Sequence, residues 1–250
     1  MRFVHRPQPA AIHAAVPVLL ASVSLGLMAI LWRRHSAPRA EQELQDRDRH
    51  WNRFTGEDAP HSGDGTQPAE EGTGVLVHRR YEVSLPDRAV SKDIVMRLMQ
   101  LHLTELAPAA LANFEKSEGL DSVFRVGDEY EITMLGPWNG DVRVAEMLAE
   151  SFTLVTLKGH PEAGHITFSV DDDTDRPGNL RVRIESWARA RDGVVEVAYS
   201  TLGVGKQVQT EVWVTFLQRL SVLAGVTTRP EVHITTQHVP QPSDGKRIDG

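Results

Sequence analysis

Residues 205–224 read GKQVQTEVWVTFLQRLSVLA, and this stretch decides the fold. Val208, Val212, Phe216 and Leu220 recur at four-residue steps, and Trp213, Leu217 and Leu223 widen the same stripe. Apolar residues at that spacing make a helix that buries one broad face. Gly225 follows as its stop. A helix of this kind needs a large apolar surface opposite it, and the preceding residues supply one.

Working backwards, strands are expected over 194–200, 179–189, 164–170, 151–157, 141–147 and 123–134, and a first one over 75–85. Turn chemistry separates them: Asp192-Gly193, Pro177-Gly178, Gly159-His160-Pro161 and Asn139-Gly140. Between the first strand and the rest, the spacing predicts a helix over 89–106, N-capped by Asp87, and a second short helix over 109–116. The fold class is therefore α+β. A curved antiparallel sheet of about six to seven strands grips the long C-terminal helix, leaving between them a cavity of roughly a few hundred Å³.

Outside this domain, assigned to residues 75–226, the composition changes. Residues 14–32, AAVPVLLASVSLGLMAILW, carry no charge and end in Trp32-Arg33-Arg34. A run of this length comes close to spanning the ~30 Å hydrocarbon core, and Trp followed by cations marks an interface. It is too long for a signal-peptide core and lacks a small-residue cleavage site. A single-pass transmembrane helix is expected over 10–32, preceded by a flank at 1–9. Arg33, Arg34, Arg39, Arg47 and Arg49 on its C-terminal side, against Arg2 and Arg6, favour a cell-membrane protein with its domain in the cytoplasm. Residues 33–74 read as an acidic disordered linker, and 227–250 as a mostly disordered tail with room for a short strand over 232–235.

The net charge of −7 excludes the basic footprint of a nucleic-acid binder. The absence of cysteine excludes disulfides, thiolate metal sites and cysteine nucleophiles. No G-x-S-x-G, P-loop or dinucleotide glycine fingerprint appears, so no cofactor is expected and the reading leans away from catalysis.

Phe152 to Phe168, with Gly159-His160-Pro161-Glu162-Ala163-Gly164 at its centre, and Arg183-Ile184-Glu185-Ser186-Trp187-Ala188-Arg189 resemble the bacterial domain-of-unknown-function family numbered nineteen-ninety. The resemblance covers roughly residues 81–224. That family carries no activity to transfer. Its element order is similar to the helix-grip fold of START and birch-allergen proteins, which implies an apolar or lipid-like small-molecule ligand, by analogy of fold alone.

Candidate pocket residues are Trp187 and Glu185, which share a strand face at period two, together with Arg125, Tyr130, His160, Trp138 and Phe216. Trp187 and Glu185 equally suit an exposed face with cross-strand pairs. Trp138, at a hairpin tip, suits a cavity mouth, a membrane surface or a cap on the core. His160, Glu162 and His165 are the candidate metal ligands, in a turn whose spacing matches no known ligand pattern; the structural alternative has His160 or Glu162 bonding the turn's own backbone. The leading expectation is a membrane-anchored ligand-binding module. The alternatives are a membrane-tethered interaction or scaffold protein, and a hydrolase- or cyclase-like enzyme using His160, Glu162 and His165.

Overall fold

The computed structural model describes residues 38–44, 63–86, 90–120, 122–134, 139–193 and 204–239. The membrane helix expected over 10–32, the strand expected over 194–200, Asp87 and Trp138 lie outside these residues. Among the described residues no helix is long and apolar enough to cross a membrane.

The elements are β1 (Arg39–Leu44), β2 (Thr73–Pro86), α1 (Lys92–Leu101), α2 (Leu103–Leu106), β3 (Ala112–Glu118), β4 (Glu129–Met134), β5 (Gly140–Met147), β6 (Ser151–Thr156), β7 (Glu162–Asp172), β8 (Asn179–Ala190), α3 (Val204–Leu223) and β9 (Val232–Val239). The strands form one open sheet in the order β1-β9-β2-β8-β7-β6-β5-β4-β3. Strands β3 to β8 run as an antiparallel meander, and β2 closes onto β8 with Val83 opposite Val182 and Tyr81 opposite Ile184. Irregularities in β2, β3 and β5 interrupt the ladders, a device that bends strands and raises local twist.

Alternation along β8 sorts the two faces. Leu180, Val182 and Ile184 are buried on the inner face, and Arg181, Arg183, Glu185 and Trp187 project from the outer one. Phe168, opposite Ile184 on β7, meets α3 directly: its ring lies 5.6 Å from Trp213 and 5.5 Å from Phe216. Phe152 stacks on Phe168 at 4.6 Å, and Phe216, Leu217 and Leu220 are wholly buried. Offset and edge-on aromatic pairs of this kind add about 0.5–1.5 kcal/mol each to the area they bury.

Several expectations need correction. The second short helix is instead strand β3: Ala112 and Phe114 face inward, and pairing with Met134 and Ile132 outweighs local helix propensity. The first helix breaks at His102, whose backbone N–H ends α1 on the Leu98 carbonyl. The strand expected from residue 123 begins only at Glu129, because 122–128 turns. Leu223 falls off the buried stripe and is half exposed. The acidic linker contributes structure at two places. Strand β1 pairs in parallel with β9, its Arg39 bonded to Glu211 of α3, and residues 63–72 lie along the sheet with Thr66 bridging Leu157. The tail strand reaches Val239 rather than stopping at residue 235, and it lies inside the sheet between β1 and β2.

Gly164 is the position where the backbone has no room for a side chain. Its φ is +154°, and an added Cβ would stand 2.0 Å from the Trp187 carbonyl oxygen on β8. Gly164→Ala is expected to destabilise the domain by at least about 2 kcal/mol, through strain and a forced separation of β7 from β8. Urea unfolding of the two proteins measures the difference.

Candidate functional site

The candidate residues divide between the two faces of the sheet. On the outer face the Trp187 ring stacks on His78 with centroids 3.7 Å apart, and Ala69, Leu76 and Val239 pack around it. Glu185 lies one pleat along, 2.6 Å from His78 Nε2 and 2.9 Å from Arg80 Nη2. Burial pushes the Glu185 carboxyl up, but the hydrogen bond with His78 and the charges of Arg80 and Arg183 outweigh it and hold the carboxyl below its ordinary range. His165 pairs across from Trp187, and burial lowers its pKa. Trp187 and Glu185 therefore do share a face, but it is the face turned away from α3.

His160 closes the β6–β7 turn. Its Nδ1 accepts the Glu162 backbone N–H at 3.0 Å, its ring packs where a Cβ on Gly140 would stand 2.4 Å away, and burial pushes its pKa down to about 4. Gln67 brackets this turn, its side-chain amide donating to the carbonyls of His160 and Glu162, each at 2.9 Å, and its oxygen accepting the Gly159 N–H at 3.2 Å. His160 is thus a neutral strut within the turn. Glu162 turns the other way, under α3, while His165 belongs to the outer face, so the three candidate ligands do not converge. Among the described residues no cluster of metal-binding side chains is present.

Arg125 is exposed in the β3–β4 loop, where its backbone N–H caps Asp128. Tyr130 is buried against Phe124, with Lys116 above its ring, and burial pushes its phenol up to about 12. It lines a small cavity of about 50 Å³ together with Gln100, Leu103, Thr104 and Phe124. That space suits a water or two rather than a ligand of several hundred Å³. Phe216 is fully buried packing. Among the described residues, Phe152, Phe168, Trp213 and Phe216 pack against one another in the space between sheet and helix where that cavity was expected.

Sequence reasoning passed over the polar end of that same interior. Arg79 and Tyr81 point inward from β2, opposite Gln209, Thr210 and Trp213 of α3, and Glu162 enters from β7. Gln209 accepts a hydrogen bond from Arg79 Nη1 and donates to Glu162 Oε2 at 3.2 Å. Tyr81 lies against Arg79, Thr210 and Glu162, its phenol raised chiefly by burial. Burial also raises the Glu162 carboxyl, partly offset by the Arg79 charge and the Gln209 hydrogen bond. Three buried donors, Arg79 Nε, Tyr81 Oη and Trp213 Nε1, have no hydrogen-bond acceptor. The available signal was Arg79 standing out of phase with its neighbours: in His78-Arg79-Arg80-Tyr81, two consecutive arginines on a strand must face opposite ways, so one had to enter the core.

With this geometry in view, the comparisons with known proteins are informative about family and little else. Residues 106–220 match the family model of a domain of unknown function, DUF1990. Comparison with curated proteins by sequence yields no match. Among solved structures, the Zhui aromatase/cyclase from a Streptomyces species aligns at 13% identity and TM-score 0.44, over 60% of this chain and 94% of that one. Norcoclaurine synthase from Thalictrum flavum aligns at 13% identity and TM-score 0.41, over 65% and 92%. A major latex-like protein from Panax ginseng aligns at 17% identity and TM-score 0.33, over 56% and 99%. These are helix-grip proteins, but scores and identities at this level carry no argument about what the present chain does.

His160 makes stability depend on pH. Its folded pKa lies near 4 and its ordinary one at 6.5, so between those values the unfolded chain takes up a proton that the folded one refuses. That contribution is fully present above pH 6.5 and is lost as pH falls toward 4. His160→Gln is expected to flatten this part of the stability–pH curve by up to about 3 kcal/mol, as read from chemical denaturation at closely spaced pH values.

Proposed function

We propose that this is a ligand-binding module of helix-grip type, taking a molecule with an apolar body and a polar acceptor at one end. The observation that carries the reading is the set of unaccepted donors, Arg79 Nε, Tyr81 Oη and Trp213 Nε1, buried between sheet and helix. Buried donors without acceptors cost about 1–3 kcal/mol each, and a fold retains such a cost where a bound molecule relieves it. The aromatic side chains beside them offer the apolar body its surroundings. Entry is proposed at the Gln209 end of α3, where the helix meets the sheet through polar groups. Gln209 is the tie that would break, because it alone bonds the helix to both Arg79 and Glu162 there.

The same proposal places the module at a cell membrane, held by residues 10–32, with the domain on the cytoplasmic side. The support is the uncharged run 14–32 and the arginines that follow it. A second reading, a membrane-tethered interaction protein, has its own observation. Leu101, Leu120, Val123 and Val126 are exposed on α1 and the β3–β4 loop.

Native mass spectrometry of the full chain, released from detergent, together with organic extraction, separates these readings. A discrete small molecule that co-purifies, or one from a panel of fatty acids, alcohols and aromatic acids that binds and raises Tm, is the expected result. A chain that stays free of every panel member, yet holds a protein partner through Val123 and Val126, would replace the ligand reading with the second one.

A further inference from the structure

Arg79 is only 8% exposed, and among the described residues no carboxylate lies within ion-pair distance of it. Its setting contrasts with that of four other cations of the sheet, although Arg189 on β8 likewise bonds only a carbonyl, that of Gly74. Arg80, equally buried, has Glu185 at 2.9 Å; Arg143 has Glu129 at 2.6 Å; Arg183 has Glu82 at 2.9 Å; Lys116 has Asp128 at 2.6 Å. Arg79 instead bonds the neutral amide of Gln209, and that amide stands between it and Glu162. A buried guanidinium is ordinarily paired, and the geometry it favours is a planar, two-oxygen acceptor. Here its Nε is free of any acceptor, and so is the neighbouring Tyr81 hydroxyl.

Resting on the ligand-binding reading above, we infer that Arg79 and Tyr81 form the head-group site for a carboxylate, so that the ligand is an apolar monocarboxylic acid. Arg79 Nε and Tyr81 Oη donate to the carboxylate, and the apolar body runs along the aromatic surface of Phe168 and Trp213. Glu162 sets the limit on charge. Its carboxyl lies beyond the Gln209 amide from Arg79, so a second ligand carboxylate would meet a carboxyl there rather than a cation.

The test uses the full chain and two probes of equal length, dodecanoate and dodecanol, with binding followed by calorimetry and by the fluorescence of the tryptophans. The expected result is that dodecanoate binds at least about ten times more tightly than dodecanol, and that Arg79→Gln abolishes this preference while dodecanol binding persists. If Arg79→Gln fails to fold, Tyr81→Phe, which changes little but the hydroxyl, is expected to weaken dodecanoate by about threefold to tenfold and dodecanol by less. Equal affinity for acid and alcohol in the unaltered protein overturns the carboxylate site and leaves the ligand-binding module standing. Failure of both probes and of the wider panel to bind overturns the two together. Undiminished preference for dodecanoate in Arg79→Gln shows that the carboxylate is held elsewhere, which also overturns the site.

Discussion

Phe168 stands at the centre of β7 with Phe152 stacked beside it and the rings of Trp213 and Phe216 packed over it. An open sheet with one apolar face is unstable in water until something covers that face, and α3 is the cover. Everything else in the domain follows from holding that helix against the sheet. Strands β3 to β8 curl to present the face, α1 and α2 flank it with Val95, Met99 and Leu103 buried, and Arg219 ties α3 to the carbonyls of Glu105 and Ala107.

The contact is uneven along its length. From Trp213 to Leu220 the sheet-facing side of the helix is packed mainly by the apolar bodies of Trp213, Phe216, Leu217 and Leu220. Toward Gln209 the contact becomes polar: the Gln209 amide faces Arg79 on one side and Glu162 on the other, and Glu211 bonds Arg39 of β1. An apolar seam is forgiving of small shifts, whereas a buried polar one is costly whenever a donor lacks its acceptor. The two halves of α3 are therefore held by different forces, one firm and one conditional. The outer face is held differently: His78 and Arg80 both bond the Glu185 carboxylate beside Trp187.

Much of the fold was legible because it rests on periodicity. The stripe Val212–Phe216–Leu220 and the shared face of Arg183, Glu185 and Trp187 follow from the repeats of helix and strand, and both are present as expected. Strand β3 was hidden because Ala112 and Phe114 owe their conformation to β4, which lies later in the chain. Strand β1 was hidden because Glu41, Gln42 and Glu43 are polar and exposed, and only the edge of β9 gives them a ladder to join. The site was less legible still. Trp187 and Glu185 were correctly placed together, but a strand pattern does not say which of its two faces meets the helix. His160 and Glu162 looked like neighbours in one cluster, yet a tight turn sends one side chain into the bend and the other under α3.

The strand order has a consequence for how the domain is made. The ladder of β1 is formed with β9 alone, and these are the first and last described strands of the chain. As the polypeptide leaves the ribosome, β1 has no edge to pair with until almost the whole domain has been synthesised. The meander from β3 to β8 joins sequence neighbours and closes on short loops, so it is free to assemble early, while the inclusion of β9 and then β1 waits on contacts spanning nearly the full length. Until β9 is seated, the edge of β2 that it covers stands open, and in a growing chain an open edge is exposed to mispairing.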